Sequence, residues 1–500
     1  MGTAPAATGT LGPTQAASSF AKSLFLGEIH SGMVLPYPFP SEEEDAKVQR
    51  ILADLDEFAA GYDERAVEEA RWVPDEVLQR LGEIGVLGLY VPEKYGGQGL
   101  SQTGYARVFE KIAGIDGTLS VVLGVHQSIG YKGIALFGSD EQKERWLPDL
   151  ASGRKLAGFA LTEPNAGSDA WNVESRAVSQ PDGSFVLNGE KRYIGNGSRA
   201  DVLTTFARCE VDGKDRHIAV LVEKGMEGFE VGDRFDTMGL RANDLRRLYF
   251  RDVRIPPENV LGEPGEGFRI AMAILNNGRI GLGTGAVGAG KTMIDLAIEH
   301  VSNRRQFGAP LADLELVQEK IAWMVSYLFG LESMCYLTTG MVDRGVPDTS
   351  LEAAVCKIAG TEFMWYQINR ALQLAGGSGF MRTERYEKFL RDSRIFPIFE
   401  GANDVLRSFV ALTGIKPVGE RLAAPPEDDA RLMDSIASIG IYFDYETGQV
   451  ELETDRLRGA HADLSGLANS VSEQIKELNE CCETLLREQG MAIITQGLQH

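Results

Sequence analysis

The chain has 500 residues, 43% of them hydrophobic and 24% charged, a composition typical of a globular protein long enough for several domains. Its net charge of −22 excludes non-specific nucleic-acid binding and a polybasic membrane anchor, because both need an excess of basic residues. The five cysteines include no CxxC pair and the six histidines form no HExxH motif, so the sequence predicts a reducing compartment and no metal site.

Residues 1–40 are predicted to form a flexible N-terminal tail. The tail begins with MGTAPAATGTLGPTQAASS, which lacks the basic n-region of a secretion signal and the Arg-rich face of a transit peptide. We therefore expect a bacterial cytoplasmic protein, or a mitochondrial matrix protein if the host is eukaryotic. No apolar run reaches the ~18 residues that a membrane-spanning helix needs, so no transmembrane segment is expected.

The rest of the chain falls into helical, strand-rich and again helical parts. Residues 41–155 carry apolar side chains at helical spacing, 156–260 alternate short β-rich runs with turn residues, and 261–418 return to helical spacing. Residues 419–500 are predicted to be an acidic linker followed by a helical C-terminal extension. Helices followed by strands indicate a mainly helical α+β fold with a small antiparallel sheet or barrel, and not a doubly wound one.

Two glycine-rich patterns in the second helical part resemble nucleotide-binding motifs. Gly285–Thr292 matches the P-loop spacing and Gly283–Gly288 matches GxGxxG. Both motifs require a buried strand that ends at the glycines, whereas here helical spacing runs through them. We therefore predict a closely packed helix and no ATP site.

Three other segments carry the functional prediction. They are LTEPNAGSD at 161–169, QLAGGSGF at 373–380 and RDSRIFPIFEGAND at 391–404. Taken singly, each has an ordinary explanation: a helix N-cap and turn, a loop, and a solvated carboxylate at Glu400. It is their joint order along the chain that is informative.

In that order the segments closely resemble the acyl-CoA dehydrogenase family, and most closely its very-long-chain branch, over about residues 19–415. LPYP at 35–38, GVHQSIG at 124–130, NNGR at 276–279 and NRRQFG at 303–308 extend the likeness. The resemblance implies an N-terminal helical domain, a central antiparallel β-barrel and a C-terminal helical bundle. It also implies FAD bound between barrel and bundle.

The resemblance further implies a set of cofactor residues. The segment that lies along the flavin carries Phe159, Leu161, Thr162 and Ser168, and the strand against the isoalloxazine carries Tyr193, Ile194 and Gly195. Arg304 meets the pyrophosphate, with Phe307 nearby in the sequence, and a loop with Gln373, Gly376 and Gly377 supports the FAD of a neighbouring subunit. The residues after Glu400 that complete the site are Ala402, Asn403 and Asp404.

Acyl-CoA contacts are implied for Ser168, Asn276, Asn277, Gly278, Arg279 and Gly401, and the catalytic base for Glu400. The reaction removes an α-proton from a thioester and passes the β-hydrogen as hydride to flavin N5. The α-carbon is a very weak acid in water, so the thioester oxygen needs hydrogen bonds, expected from the Glu400 backbone N–H and a flavin hydroxyl.

The base must be a carboxylate whose pKa is raised toward neutrality by an apolar pocket. We expect Ile395, Phe396 and Phe399 to form that pocket. Some family members carry the base near the position of Gly278 instead. Glycine has no side chain to act as a base, so Glu400 is the single candidate.

The sequence also departs from the family pattern at three positions. Gly195 replaces the usual Thr or Ser near flavin N5, Ala402 replaces a Thr, and Thr383 stands near where an acidic residue is expected. These departures bear on redox tuning and FAD affinity, but not on the fold.

The implied function is oxidation of fatty acyl-CoA thioesters, expected to be long-chain, to trans-2-enoyl-CoA by a homodimer that passes electrons to an electron-transfer flavoprotein. Two alternatives stay open: an acyl-CoA oxidase or flavin monooxygenase on the same fold, and a non-catalytic acyl-CoA-binding or assembly protein. The short, acidic C-terminal segment argues against peripheral membrane binding.

Overall fold

The computed structural model describes residues 19–423, 441–443, 450–452 and 464–489. Two compact units make up these residues. The larger contains Pro38–Asp343 and Ala353–Val405, and the smaller contains the rest. Among the residues described, none of the helices is both long and apolar enough to cross a bilayer.

Helices occupy most of the described chain. They are α1 (Phe20–Phe25), α2 (Ser31–Val34), α3 (Glu42–Gly61), α4 (Glu64–Ala70), α5 (Asp75–Ile84), α6 (Gln102–Ile115), α7 (Gly117–Gly124), α8 (Lys132–Phe137), α9 (Asp140–Ser152), α10 (Gly267–Asn303), α11 (Glu315–Asp343), α12 (Ser350–Ala375), α13 (Tyr386–Ser393), α14 (Asn403–Ala423) and α15 (Ser465–Gln489). A π-helical turn at Val125–Gly130 joins α7 to α8.

The strands lie mainly between α9 and α10, as the change in pattern near residue 156 predicts. They are β1 (Ala157–Ala160), β2 (Arg176–Ser179), β3 (Phe185–Ile194), β4 (Val202–Val211), β5 (Lys214–Glu223), β6 (Phe229–Arg234), β7 (Arg246–Ile255), β8 (Val260–Leu261), β9 (Arg305–Gln306), β10 (Ala309–Pro310), β11 (Ile441–Phe443) and β12 (Val450–Leu452). The first eight form one sheet in the order β6-β7-β3-β2-β4-β5-β8, with β1 also paired to β4.

The expectation of an antiparallel sheet is met in most ladders and corrected in two. β1 pairs with β4 in parallel register, Ala157 opposite Val202, and β2 meets β4 in parallel at Arg176 and Arg208. A parallel pair cannot be closed by a hairpin, and β2 and β3 accordingly lie between β1 and β4 in the chain. Alternating apolar side chains of these strands form a buried core.

The second helical part is dominated by α10, a continuous helix of 37 residues. It runs through Gly283–Thr292 without a preceding strand, so the prediction that this glycine-rich segment is helical is confirmed. The glycines permit close packing: a Cβ at Gly288 would lie 1.9 Å from the carbonyl oxygen of Glu110 in α6. Larger residues would therefore separate α10 from α6.

The smaller unit shows helices where the sequence predicted a flexible tail. The backbone N–H of Ala21 at the start of α1 donates to Glu352 Oε1 at 2.7 Å, and Lys22 Nζ lies 2.6 Å from Asp348 Oδ2. These tertiary bonds hold the segment in place, together with the Ser19 side chain, which caps α1 by accepting from the Lys22 N–H. Residues 1–18 lie outside the described residues.

The predicted C-terminal helix is present as α15. Ala468, Ser472, Cys482 and Leu486 are buried, whereas Leu467 and Leu478 are exposed. Asn479 Nδ2 donates to the carbonyl oxygen of Phe25 at 2.8 Å, so α15 contacts α1. The acidic linker lies almost entirely outside the described residues.

Candidate active site

Glu400 lies on a tight turn between α13 and α14. Its φ angle is +54° and that of Gly401 is +103°, two successive residues in the left-handed half of backbone space. Gly401 adopts this conformation without a steric penalty, whereas a glutamate there is uncommon and stores modest strain. The turn thereby directs the glutamate side chain into the protein.

The Glu400 carboxyl group is buried, and its Oε2 has no hydrogen-bond partner among the described residues. Burial raises the pKa of Glu400 to about 7, against the opposing effect of the Arg279 and Lys357 charges. Near neutral pH the group is therefore balanced between acid and carboxylate, as a general base needs to be.

Gly278 of α10 provides the space for this carboxyl group. A Cβ atom at Gly278 would lie 2.6 Å from Glu400 Oε2 and 3.0 Å from Ile129 Cγ2. Those distances are too short for a side chain, so only glycine leaves the carboxyl group its position. The structure thus brings together two residues that the sequence placed in separate motifs.

Arg279 lies beside the same turn. Its Nε donates to the Glu400 carbonyl oxygen at 3.2 Å, and its Nη1 donates to Asn276 Oδ1 at 2.9 Å. Three predicted acyl-CoA residues, Asn276, Gly278 and Arg279, therefore lie next to Glu400. Asn277 instead donates from Nδ2 to the carbonyl oxygen of Ala273 within its own helix.

The residues just before the turn form part of the apolar pocket that the sequence predicts around Glu400. Phe396 is buried and packs edge to face on Phe399, with ring centroids 5.0 Å apart. Both rings, with Ile395, pack against the apolar core of the second helical part. This packing excludes water from one side of the turn, which favours the neutral form of a carboxyl group.

The residues expected to contact the flavin ring lie at the end of β3. The ladder with β7 shifts register between Lys191 and Ile194, and Tyr193 within the shift has a φ of +60°. The Tyr193 ring is half exposed and packs on Phe235 at 4.8 Å. This irregularity takes peptide groups out of the β3–β7 ladder. Among them, the Arg192 N–H donates instead to the Thr162 carbonyl oxygen at 2.8 Å.

The glycine at position 195 is explained by its close contact with Val125. A Cβ at this position would lie 2.9 Å from Val125 Cγ2, in the π-helical turn. The absence of a side chain therefore reflects close packing. The hydroxyl that the family pattern would place here has no room while Val125 is present.

The segment from Phe159 to Ser168 has one end in the core and one end exposed. Phe159 and Leu161 are buried, whereas Ser168 is exposed in the following loop. Glu163 anchors the segment: its Oε1 lies 2.6 Å from Lys191 Nζ, and both side chains are almost fully buried. Burial alone would raise the pKa of Glu163, but the Lys191 charge and several hydrogen bonds hold it below its usual range.

The remaining predicted cofactor residues lie on the surface of the larger unit. Arg304 is the exposed C-cap residue of α10, and its guanidinium group makes no ion pair among the described residues. Phe307 is 93% exposed, and Gln373, Gly376 and Gly377 form an exposed end to α12. An unpaired guanidinium and a fully exposed phenylalanine suit a phosphate group and an aromatic or protein surface, respectively.

The three residues after Gly401 differ in burial. Ala402 is half-buried and Asp404 is exposed. Asn403 is buried, and its side chain contacts Lys357 Nζ at 2.7 Å and Thr361 Oγ1 at 3.0 Å. These contacts occupy the Asn403 side chain within the protein, and its role toward FAD stays a prediction. The Thr162 and Ser168 hydroxyls and the Arg304 guanidinium are hydrogen-bond donors of the kind that suit the phosphate and ring acceptors of a flavin dinucleotide.

Three family models match the chain, each over one region. They are the acyl-CoA dehydrogenase N-terminal domain at residues 42–154, the middle domain at 158–253 and the C-terminal domain at 265–414. Two mitochondrial relatives are very long-chain specific acyl-CoA dehydrogenases. The one from Homo sapiens is 42% identical over 82% of this chain and 64% of its own length. The one from Rattus norvegicus is 38% identical over 98% of this chain and 75% of its own. The chain belongs to the acyl-CoA dehydrogenase family.

Solved structures of this family share the fold. Butyryl-CoA dehydrogenase from Megasphaera elsdenii superposes with a TM-score of 0.71 at 30% identity, covering 75% of this chain and 98% of that one. An acyl-CoA dehydrogenase from Bacillus anthracis, solved in complex with FAD, superposes at 0.69 and 30% identity, covering 95% and 86%. The mainly helical α+β fold class is thereby confirmed. The chain spans slightly less than two thirds of the human relative's length.

The sequence analysis missed one charged residue at this site. Lys357 of α12 has no exposed surface, and its Nζ donates to the Gly401 carbonyl oxygen at 2.6 Å. The sequence signal that could have pointed to this residue is a single lysine within an otherwise apolar run, Val355-Cys356-Lys357-Ile358-Ala359. Buried lysines are rare unless they are paired, so such a residue indicates a specific partner elsewhere in the fold.

Proposed function

We propose that the protein catalyses the FAD-dependent α,β-dehydrogenation of fatty acyl-CoA thioesters, with Glu400 as the base. The observation that carries the proposal is the buried Glu400 carboxyl group with its free Oε2 and a pKa raised to about 7. Such a group takes up a proton near neutral pH, and the missing side chain at Gly278 leaves the carboxyl group its position.

Each step of the proposed reaction is assigned to particular residues of the chain. Glu400 Oε2 receives the α-proton, and the Glu400 backbone N–H donates to the thioester oxygen as negative charge develops there. Gly401 and Gly278 allow the acyl chain to approach the backbone closely. Bound FAD, held by the β3 end, Thr162, Ser168 and Arg304, supplies the acceptor for the β-hydride.

Long-chain acyl groups are the proposed substrate class, and an electron-transfer flavoprotein is the proposed acceptor. Support for the first comes from the two relatives, whose names specify very long chains. Support for the second comes from a chain in the structure solved for the electron transferring flavoprotein of Acidaminococcus fermentans, 32% identical at a TM-score of 0.70 and covering 75% of this chain and 99% of that one. A homodimer, and a bacterial cytoplasmic or mitochondrial matrix location, stay predictions.

Anaerobic titration of the purified holoprotein with a series of saturated acyl-CoA thioesters tests the proposal. We expect the flavin absorbance to bleach with long acyl chains and to recover only slowly when air is admitted. Rapid recovery in air with hydrogen peroxide release would indicate an oxidase. Tight acyl-CoA binding without bleaching would indicate a binding or assembly protein.

A further inference from the structure

Lys357 is a buried lysine that belongs to neither the substrate nor the cofactor residues described above. Its Nζ donates to the Gly401 carbonyl oxygen at 2.6 Å and to Asn403 Oδ1 at 2.7 Å. The two acceptors belong to residues one and three positions after Glu400. One ammonium group thus joins the catalytic turn to α12.

The contact is part of a small network on α12. Asn403 Nδ2 donates to Thr361 Oγ1 at 3.0 Å, and Thr361 Oγ1 donates to the Lys357 carbonyl oxygen at 2.8 Å. Lys357 and Thr361 are four residues apart, so both face the turn from one side of the helix. Because the network is buried, removing a donor would leave the acceptors unsatisfied.

The turn needs such support. Glu400 and Gly401 both have positive φ angles, and a non-glycine residue persists in that region only when its surroundings hold it there. The Arg279 guanidinium holds the Glu400 carbonyl oxygen, and the Lys357 ammonium holds the next one along the chain. Two cations from two helices therefore fix consecutive peptide groups.

We infer that Lys357 is a positioning residue for the base: its ammonium group fixes the Glu400–Gly401 turn and its charge favours the carboxylate form of Glu400. The inference deepens the proposed function and rests on it. The charged or titratable groups that face Glu400 are Arg279 from α10, Lys357 from α12 and the Tyr105 phenol from α6. Of these three groups, Lys357 is the one that also donates to the Asn403 side chain, two residues beyond Gly401.

The effect has a definite sign. Burial lowers the pKa of Lys357 to about 8, and the Glu400 carboxylate opposes that shift. A protonated Lys357 favours the ionised form of Glu400. Loss of the charge therefore raises the Glu400 pKa, so a larger fraction of the base is protonated at pH 7.

The test compares Lys357→Met, Lys357→Gln and Lys357→Arg with wild type in the FAD-bound protein. We expect Lys357→Met and Lys357→Gln to move the midpoint of the pH profile of kcat/KM upward by on the order of one pH unit. Lys357→Arg keeps the charge and should keep the wild-type midpoint. Lys357→Gln retains a hydrogen-bond donor, which preserves a folded neutral variant even if the methionine variant does not fold.

Thr361→Val is the matched control, because it removes a neutral member of the same network one turn along α12. It should lower the melting temperature without moving the pH midpoint. A wild-type midpoint in Lys357→Gln would overturn the inference, since a residue that only supports the fold affects stability alone.

A second readout needs no acyl-CoA. The unfolding free energy of wild type minus that of Glu400→Gln, measured against pH, reports the pH midpoint at which Glu400 ionises. The same difference is then measured in a Lys357→Gln background. We expect the Glu400 midpoint to be higher in that background, as in the pH profile of kcat/KM. A shift here in a protein that does not oxidise acyl-CoA would overturn the proposed function and leave the coupling of Lys357 to Glu400 established.

Discussion

Gly278 of α10 and Glu400, on the turn between α13 and α14, lie in contact although they are remote in the sequence. A Cβ at Gly278 would lie 2.6 Å from Glu400 Oε2, and the neighbouring Arg279 is hydrogen-bonded to Glu400 across 121 positions of sequence. The position of the carboxyl group therefore depends on the absence of a side chain at a distant residue.

Gly278→Ala should displace the Glu400 carboxyl group and lower kcat by at least about tenfold, because small displacements of a catalytic group are costly. Stopped-flow measurement of flavin reduction checks this, with FAD content as the measure of integrity. Gly281→Ala is the control. It is buried in the same helix, but its Cβ would lie 3.7 Å from the nearest atoms, Ser128 Oγ and Tyr105 Oη, so flavin reduction should stay near wild type. Equal rates in the two variants would contradict the role assigned to Gly278.

Glu400→Gln should leave FAD bound and nearly abolish flavin reduction by acyl-CoA, since loss of a positioned base costs about 10²–10⁴-fold. The alternative carboxylates are Glu163 and Glu384. Glu163 is committed to a buried ion pair with Lys191, and Glu384 is exposed. Reduction within tenfold of wild type would remove Glu400 from the mechanism.

The same substitution should change how stability depends on pH. In the folded protein Glu400 stays protonated up to about pH 7, whereas in the unfolded chain it ionises near 4.5. Wild type therefore loses stability as the pH rises from about 4.5 to about 7, and Glu400→Gln does not. At pH 8 we expect the variant to be more stable by up to about 3 kcal/mol, and near pH 4.5 by much less. Thermal unfolding at the two pH values measures this, with the exposed Glu384→Gln as a control that shows no such difference.

Gly195→Thr should destabilise the protein, because its Cβ would meet Val125 at 2.9 Å and overpacking costs about 1–3 kcal/mol. The double variant with Val125→Ala should recover the melting temperature. With the space restored, a hydroxyl near flavin N5 should make the flavin potential more positive, since it stabilises the electron-rich reduced form. Spectroelectrochemical titration of the double variant and of Val125→Ala alone tests this, and equal potentials would show that the hydroxyl does not reach the flavin.

The holoprotein should be at least a dimer. Phe307 is 93% exposed, and Gln373, Gly376 and Gly377 at the end of α12 are exposed, although the resemblance assigns all four to FAD binding. Light scattering should give a mass of at least twice the 54.5 kDa of one chain. Phe307→Asp should weaken both association and FAD retention if a second copy covers this surface. A monomer with a full complement of FAD would refute the prediction.

The sequence by itself determined the order of helical and strand-rich parts and the helical nature of Gly283–Thr292, and it predicted Glu400 as the base. These follow from local periodicity and from short motifs, whose information lies in neighbouring residues. Glycine at 278 and 401 was also visible, because a residue type is a property of the sequence.

Only the tertiary structure decided why those glycines and their neighbours matter. The free Glu400 Oε2 at Gly278, the ammonium of Lys357 on the Gly401 carbonyl oxygen, and the contact of Val125 with Gly195 all join residues from different elements. The parallel β1–β4 ladder and the ordering of α1 by Glu352 have the same origin. Burial and close packing arise only when distant segments meet, and it is burial that moves the pKa of Glu400 to about 7.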